Sequence, residues 1–141
     1  MHRRRPDGER EVLLLHRIPK LGAFWQGVTG APEWEESDED AAVREVWEET
    51  GFTVKVEALD FRYELHRSEE AAEEWLRLYG PDIEVVPEEA YGAGVPADAE
   101  PTLTPIEHDA YRWCSFEEAD GLLKWEDNRR ALQALRERLS T

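Results

Sequence analysis

Residues 30–52 read GAPEWEESDEDAAVREVWEETGF, and the second half of this stretch decides the fold. Ser37 followed by Asp38, Glu39 and Asp40 is a helix start: a serine oxygen accepts from the free amides of the first turn, and acids there complement the macrodipole. Gly51 supplies the stop, because glycine takes the left-handed backbone that closes a helix without steric cost. The spacing predicts a helix over 38–50. Ala42 and Val46, and Val43 and Trp47, lie four apart and form an apolar stripe for packing on a sheet.

Glu45, Glu48 and Glu49 stand at i, i+3 and i+4 of that helix, so their carboxylates project from one side within a few ångströms of each other. They repel one another, and they occupy the last turns, where the macrodipole makes each acid unfavourable by about 0.3–1 kcal/mol. A cation relieves both penalties. A plain solvated acidic face is the competing reading in so acidic a chain, and it is the one adopted for Glu69-Glu70 and Glu73-Glu74. Two features set the first cluster apart: the glycine-rich LGAFWQGVTG at 21–30, and Arg44, placed to hold Glu48 at i+4. Hard oxygen donors of this kind suit Mg²⁺, with Mn²⁺ as the alternative.

Outward from the helix, Glu11 to Arg17 (EVLLLHR) reads as a buried strand between Asp7-Gly8 and Pro19, and Leu21 to Gly30 as a strand flanked by turns. From Thr53 to Leu65 the alternation shifts phase, as a bulge near Asp60 would produce. Ser68 to Tyr79 reads as a helix capped by Ser68, with Ala72, Trp75, Leu76 and Tyr79 on one face. Glu89 to Val95 and Ala110 to Cys114 read as strands, Ser115 to Glu118 as a capping box, and Asp127 to Leu139 as a last helix buried through Leu132, Leu135 and Leu139.

At 141 residues the chain is expected to form one domain, 1–141. Its net charge of −16 argues against a nucleic-acid or membrane partner, though a local cation can still admit a small phosphate ester. Cys114 is the sole cysteine, the longest apolar run is Val12 to Leu15, and no signal peptide is evident, so a cytoplasmic protein is expected. The basic start, His2 to Arg5, reads as a solvated terminus.

Residues 30–52 resemble the Nudix box, G-x5-E-x7-R-E-U-x-E-E-x-G-U with U apolar, at every specified position: Gly30, Glu36, Arg44, Glu45, Val46, Glu48, Glu49, Gly51 and Phe52. The resemblance implies the Nudix fold of the α+β class, a mixed β-sheet sandwiched between helices. It also implies metal ligation by Glu45, Glu48 and Glu49, an orienting role for Arg44, a supporting role for Glu36, and backbone roles for Gly30 and Gly51, with Gly30 at the substrate. FWQGVTG, IEHDAYRW at 106–113 and WEDNRRAL at 125–132 are similar to the bacterial dihydroneopterin triphosphate (dATP) pyrophosphohydrolase branch, in which the glutamate matching Glu107 can complete the metal site. Members of that branch begin with another apolar strand, and only MHRRRPDGER stands here. Residues 67–94 match the branch poorly, and that segment helps to form the base pocket.

Single residues carry two readings. Arg17 either contacts a phosphate or is an ordinary strand-end charge. Trp25, Trp47 and Trp113 stack on a base or, more ordinarily, fill core. His108 supports a neighbouring ligand rather than acting as the base. The activity expected from the resemblance is hydrolysis of a nucleoside-triphosphate-like substrate, dATP or another NTP or dNTP, or dihydroneopterin triphosphate, to the monophosphate and pyrophosphate, with catalysis resting on Arg44, Glu45, Glu48, Glu49 and Glu107. Hydrolysis of ADP-ribose or a dinucleoside polyphosphate, and a non-catalytic nucleotide-binding module, are the rival readings.

Overall fold

The computed structural model describes residues 1–29, 32–33, 35–67, 69 and 72–140. Strand β2 (Arg10–Arg17) is its central strand, and Val12, Leu13, Leu14 and Leu15 are all buried. A strand apolar on consecutive residues must be covered on both faces. Strand β6 (His108–Cys114) pairs antiparallel with β2 over residues 12–17, while β1 (His2–Arg4) and β3 (Trp25–Gln26) share its other edge at 10–12 and 15–16. Strands β4 (Glu57–His66) and β5 (Val85–Gly92) form a second antiparallel pair. The parallel sense is confined, among the described residues, to isolated bridges such as His2–Gly94. The β4 ladder shifts register between Ala58 and Arg62, and Asp60 there has φ +56°, the bulge that the phase shift in the sequence announced.

Helix α1 (Asp38–Thr50) has the predicted bounds: Ser37 Oγ accepts from Asp40 N at 3.0 Å, and Gly51 closes the helix at φ +79°. Ser37→Ala is expected to cost about 1 kcal/mol, read as a fall of a few degrees in Tm; an unchanged melt would deny the cap its role. Helix α2 (Ala72–Tyr79) buries Trp75. Helices α3 (Phe116–Leu122) and α4 (Glu126–Leu139) pack through Ala119 and Leu135 on Val12, Leu14, Leu59 and Cys114. The capping box at Ser115 and Glu118 is formed on both sides. This is the α+β arrangement of sheet and helices that the box resemblance implied.

Several expectations are corrected or resolved. The charged start left a first strand open, and His2–Arg4 supplies it, because an edge strand needs ladder hydrogen bonds more than apolar side chains. Nor is the basic start merely solvated, since Arg3 binds Glu11 and Glu100 and lies 4.0 Å over the Trp113 ring. Trp47 is 60% exposed; α1 turns Ala41, Val46, Glu49 and Thr50 inward instead, a face that apolar spacing alone could not select because two of its members are polar. Leu76, likewise, is exposed. Strand β5 begins at Val85 rather than Glu89, Pro87 having disguised a strand that, among the described residues, pairs on one edge only, with β4. The Leu21–Gly30 strand shrinks to Trp25–Gln26, and the Ser68 cap lies outside the described residues.

Candidate active site

Arg44 organises the start of the site. Its Nε and Nη2 donate to the two carboxylate oxygens of Glu36 at 2.9 and 2.8 Å, and its Nη1 to Glu45 at 2.7 Å and Glu48 at 3.1 Å. The guanidinium holds Glu36 down to about 2, and its own pKa is raised by the same contact. Such a bidentate clamp fixes the loop before α1 to the helix.

Glu49 projects inward from the next turn. It is 2% exposed, and among the described residues neither carboxylate oxygen has a close hydrogen-bond partner, with the Thr29 backbone and the Glu45 carboxyl as its polar neighbours. Burial first, then the charges of Glu45 and Glu107, hold its pKa well above the usual carboxylate range. Glu45 is raised as well, burial outweighing the pull of Arg44. An acid in this position is costly until a cation joins it.

The loop before β6 delivers the rest. Thr102 N donates to Thr50 O at 2.8 Å and Thr104 Oγ1 to Glu48 O at 2.6 Å, so the loop satisfies carbonyls that the end of α1 leaves open. Ile18 N then donates to Glu107 O at 3.0 Å. Thus tied at both ends, the segment brings one donor atom each from Glu107, His108 and Glu49 within 4.8 Å of one another. Burial, and next the Arg17 charge, lower His108 to about 4, so it is neutral and its 3.7 Å approach to Glu49 is not an ion pair. Its Nε2 lies 3.2 Å from the Gln26 amide nitrogen.

Glu49 and Glu107 are therefore together, Glu45 adjoins them, and Glu48 is turned outward to Arg44 with its side chain 46% exposed. Arg17 is buried and ion-paired with Glu74 of α2, beside Glu107 and His108. Glu74 is thus not part of a solvated face, a correction no local pattern could supply, since its partner lies 57 residues away. Gly30 lies outside the described residues. The donor set fits a divalent cation: orphaned, buried carboxylate oxygens of Glu49 face a second acid, and the adjacent imidazole is unprotonated.

Residues 3–135 match the NUDIX domain family. Dihydroneopterin triphosphate diphosphatase of Escherichia coli is 33% identical over 125 residues, 88% of this chain and 81% of that protein. A Nudix hydrolase structure from Listeria monocytogenes superposes with a TM-score of 0.80 at 30% identity, covering 99% of this chain and 89% of the other. An octanoyltransferase of Myxococcus xanthus is 39% identical over 105 residues, 74% of this chain, but the chain spans only about a quarter (26%) of that protein. The chain belongs to the Nudix family. Its enzyme class is that of the phosphoanhydride hydrolases.

Proposed function

We propose that the protein is a divalent-cation-dependent pyrophosphohydrolase that splits a nucleoside-triphosphate-like substrate, an NTP or dNTP or dihydroneopterin triphosphate, into monophosphate and pyrophosphate. The observation that carries this reading is Glu49, buried beside Glu107 with no cation and no close donor on either oxygen among the described residues. The similarity to a diphosphatase of a triphosphate ester supports it.

Glu49 and Glu107, with Glu45 adjoining and Glu48 on the same helix, would hold Mg²⁺ or Mn²⁺. Bound there, the cation offsets phosphate charge and makes water more acidic. Arg44 keeps Glu45 and Glu48 in place, as its hydrogen bonds with both require. Glu107 is partly open to solvent and its pKa is raised, by burial first and then by Glu74, so its carboxylate is suited to taking a proton from attacking water. Arg17 offers a guanidinium to substrate phosphate once Glu74 yields it.

The test is phosphate release from a nucleotide panel, coupled to inorganic pyrophosphatase, in Mg²⁺ and in EDTA. Release that needs both Mg²⁺ and the coupling enzyme is expected; silence across the panel would overturn the reading. On the best substrate Glu107→Gln should then lose at least about tenfold in turnover. Full activity across pH would make Glu107 a bystander.

A further inference from the structure

A cavity of about 200 Å³ opens between α1, the β4–β5 pair and α4. Glu45 lines it as well as adjoining Glu49, so the cavity and the acid cluster share a wall. Its other walls are largely apolar, with Val28, Leu59, Ala90 and Leu132 among them. Such a space suits a flat heterocycle whose phosphates reach the acids. Among its polar side chains, which include Asp38, Glu89 and Asn128, two are hydrogen-bonded to each other. Tyr63 and Glu88 are cross-strand partners, and Tyr63 Oη donates to Glu88 Oε2 at 2.8 Å. No cation pairs with this carboxylate among the described residues; the charges that act on it are those of Asp38 and Glu45. Burial first, then those two acids, bring Glu88 to about 7 against the pull of Tyr63. A half-buried acid with one side-chain donor among the described residues is under-satisfied until a ligand brings more.

We propose that Glu88, steadied by Tyr63, is the specificity-determining residue of this site and accepts two adjacent N–H groups from the 2-amino-4-oxo edge shared by guanine and 2-aminopteridines. This rests on the reading of the enzyme as a pyrophosphohydrolase. An ionised carboxylate only accepts, and its two oxygens match two neighbouring donors on a planar ring. Guanine presents a ring N–H beside its 2-amino group. Hypoxanthine keeps the ring N–H but lacks the amino group, and adenine sets a bare ring nitrogen against the carboxylate. A paired contact of this kind discriminates between bases by roughly tenfold or more.

The test compares kcat and KM for GTP, ITP, ATP and dihydroneopterin triphosphate in wild type, Glu88→Gln and Tyr63→Phe, all with Mg²⁺. The wild type should favour the 2-amino-4-oxo substrates over ITP and ATP by about tenfold or more, chiefly through KM. The ratio of GTP to dihydroneopterin triphosphate tells which ring carries that edge. Glu88→Gln, which replaces one acceptor with a donor, should remove the preference by raising KM for the 2-amino-4-oxo substrates, and Tyr63→Phe should fall between. Hydrolysis blind to the base, or a preference that survives Glu88→Gln, overturns the assignment and leaves the pyrophosphohydrolase reading standing. Thermal shifts of the wild type by GMP, IMP and AMP in EDTA test the same contact without turnover or variant: a larger shift with GMP upholds it, and equal shifts refute it even if no triphosphate is hydrolysed.

Discussion

Glu49→Gln should lower turnover by at least about a hundredfold while leaving the Tm in EDTA unchanged or raised. The substitution keeps shape and volume but removes the charge at the box acid that is buried, among the described residues, without a close donor. Its effect on stability has a definite sign. Because the folded pKa lies above the unfolded one, the native state holds its proton longer, and the contribution of Glu49 is full below the unfolded carboxylate range and lost as pH rises through the folded value. The amide has nothing to lose over that window. In EDTA at neutral pH the variant should therefore melt no lower than wild type. Near-wild-type turnover would sink the assignment of Glu49, and a collapsed melt would show that it is structural.

Divalent cation should raise the Tm of the wild type by roughly 5–10 °C at a hundredfold excess over Kd, from about 2.7 kcal/mol of binding to the folded state alone. The gain should grow with pH. Protons and cation compete for Glu49 and Glu45, both of which hold protons above the usual range, so at acid pH the site is already neutralised and the cation adds little. Melts with Mg²⁺ and with EDTA, from the carboxylate range through neutrality, measure the difference. A Tm gain that is flat with pH, or absent throughout, would count against these acids as the ligands.

Much of the outcome was legible because it is local. Ser37 and Gly51 fix the ends of α1 through hydrogen bonds and dihedral freedom that involve only neighbouring residues, and the structure places both as expected. The Asp60 bulge and the Ser115 cap belong to the same class. The apolar run of β2 required a sheet covered on both faces, and i, i+3, i+4 spacing put the box acids on one helix. Where reading failed, Glu74 and Glu88 owe their place to partners far along the chain, Arg17 and Tyr63, whereas β1 is a hairpin neighbour of β2 that its charged side chains disguised.

The sequence by itself determined the family, through a box complete at every position, together with the helix that carries the acids. Only the tertiary structure decided how those acids divide. The inward face of α1 is set by what it packs against, so it buried Glu49, left Glu48 to Arg44 at the surface and exposed Trp47. It was the docking of the 102–107 loop on the open carbonyls of α1 that put Glu107 and His108 beside Glu49, a contact between segments 58 residues apart that no periodicity encodes.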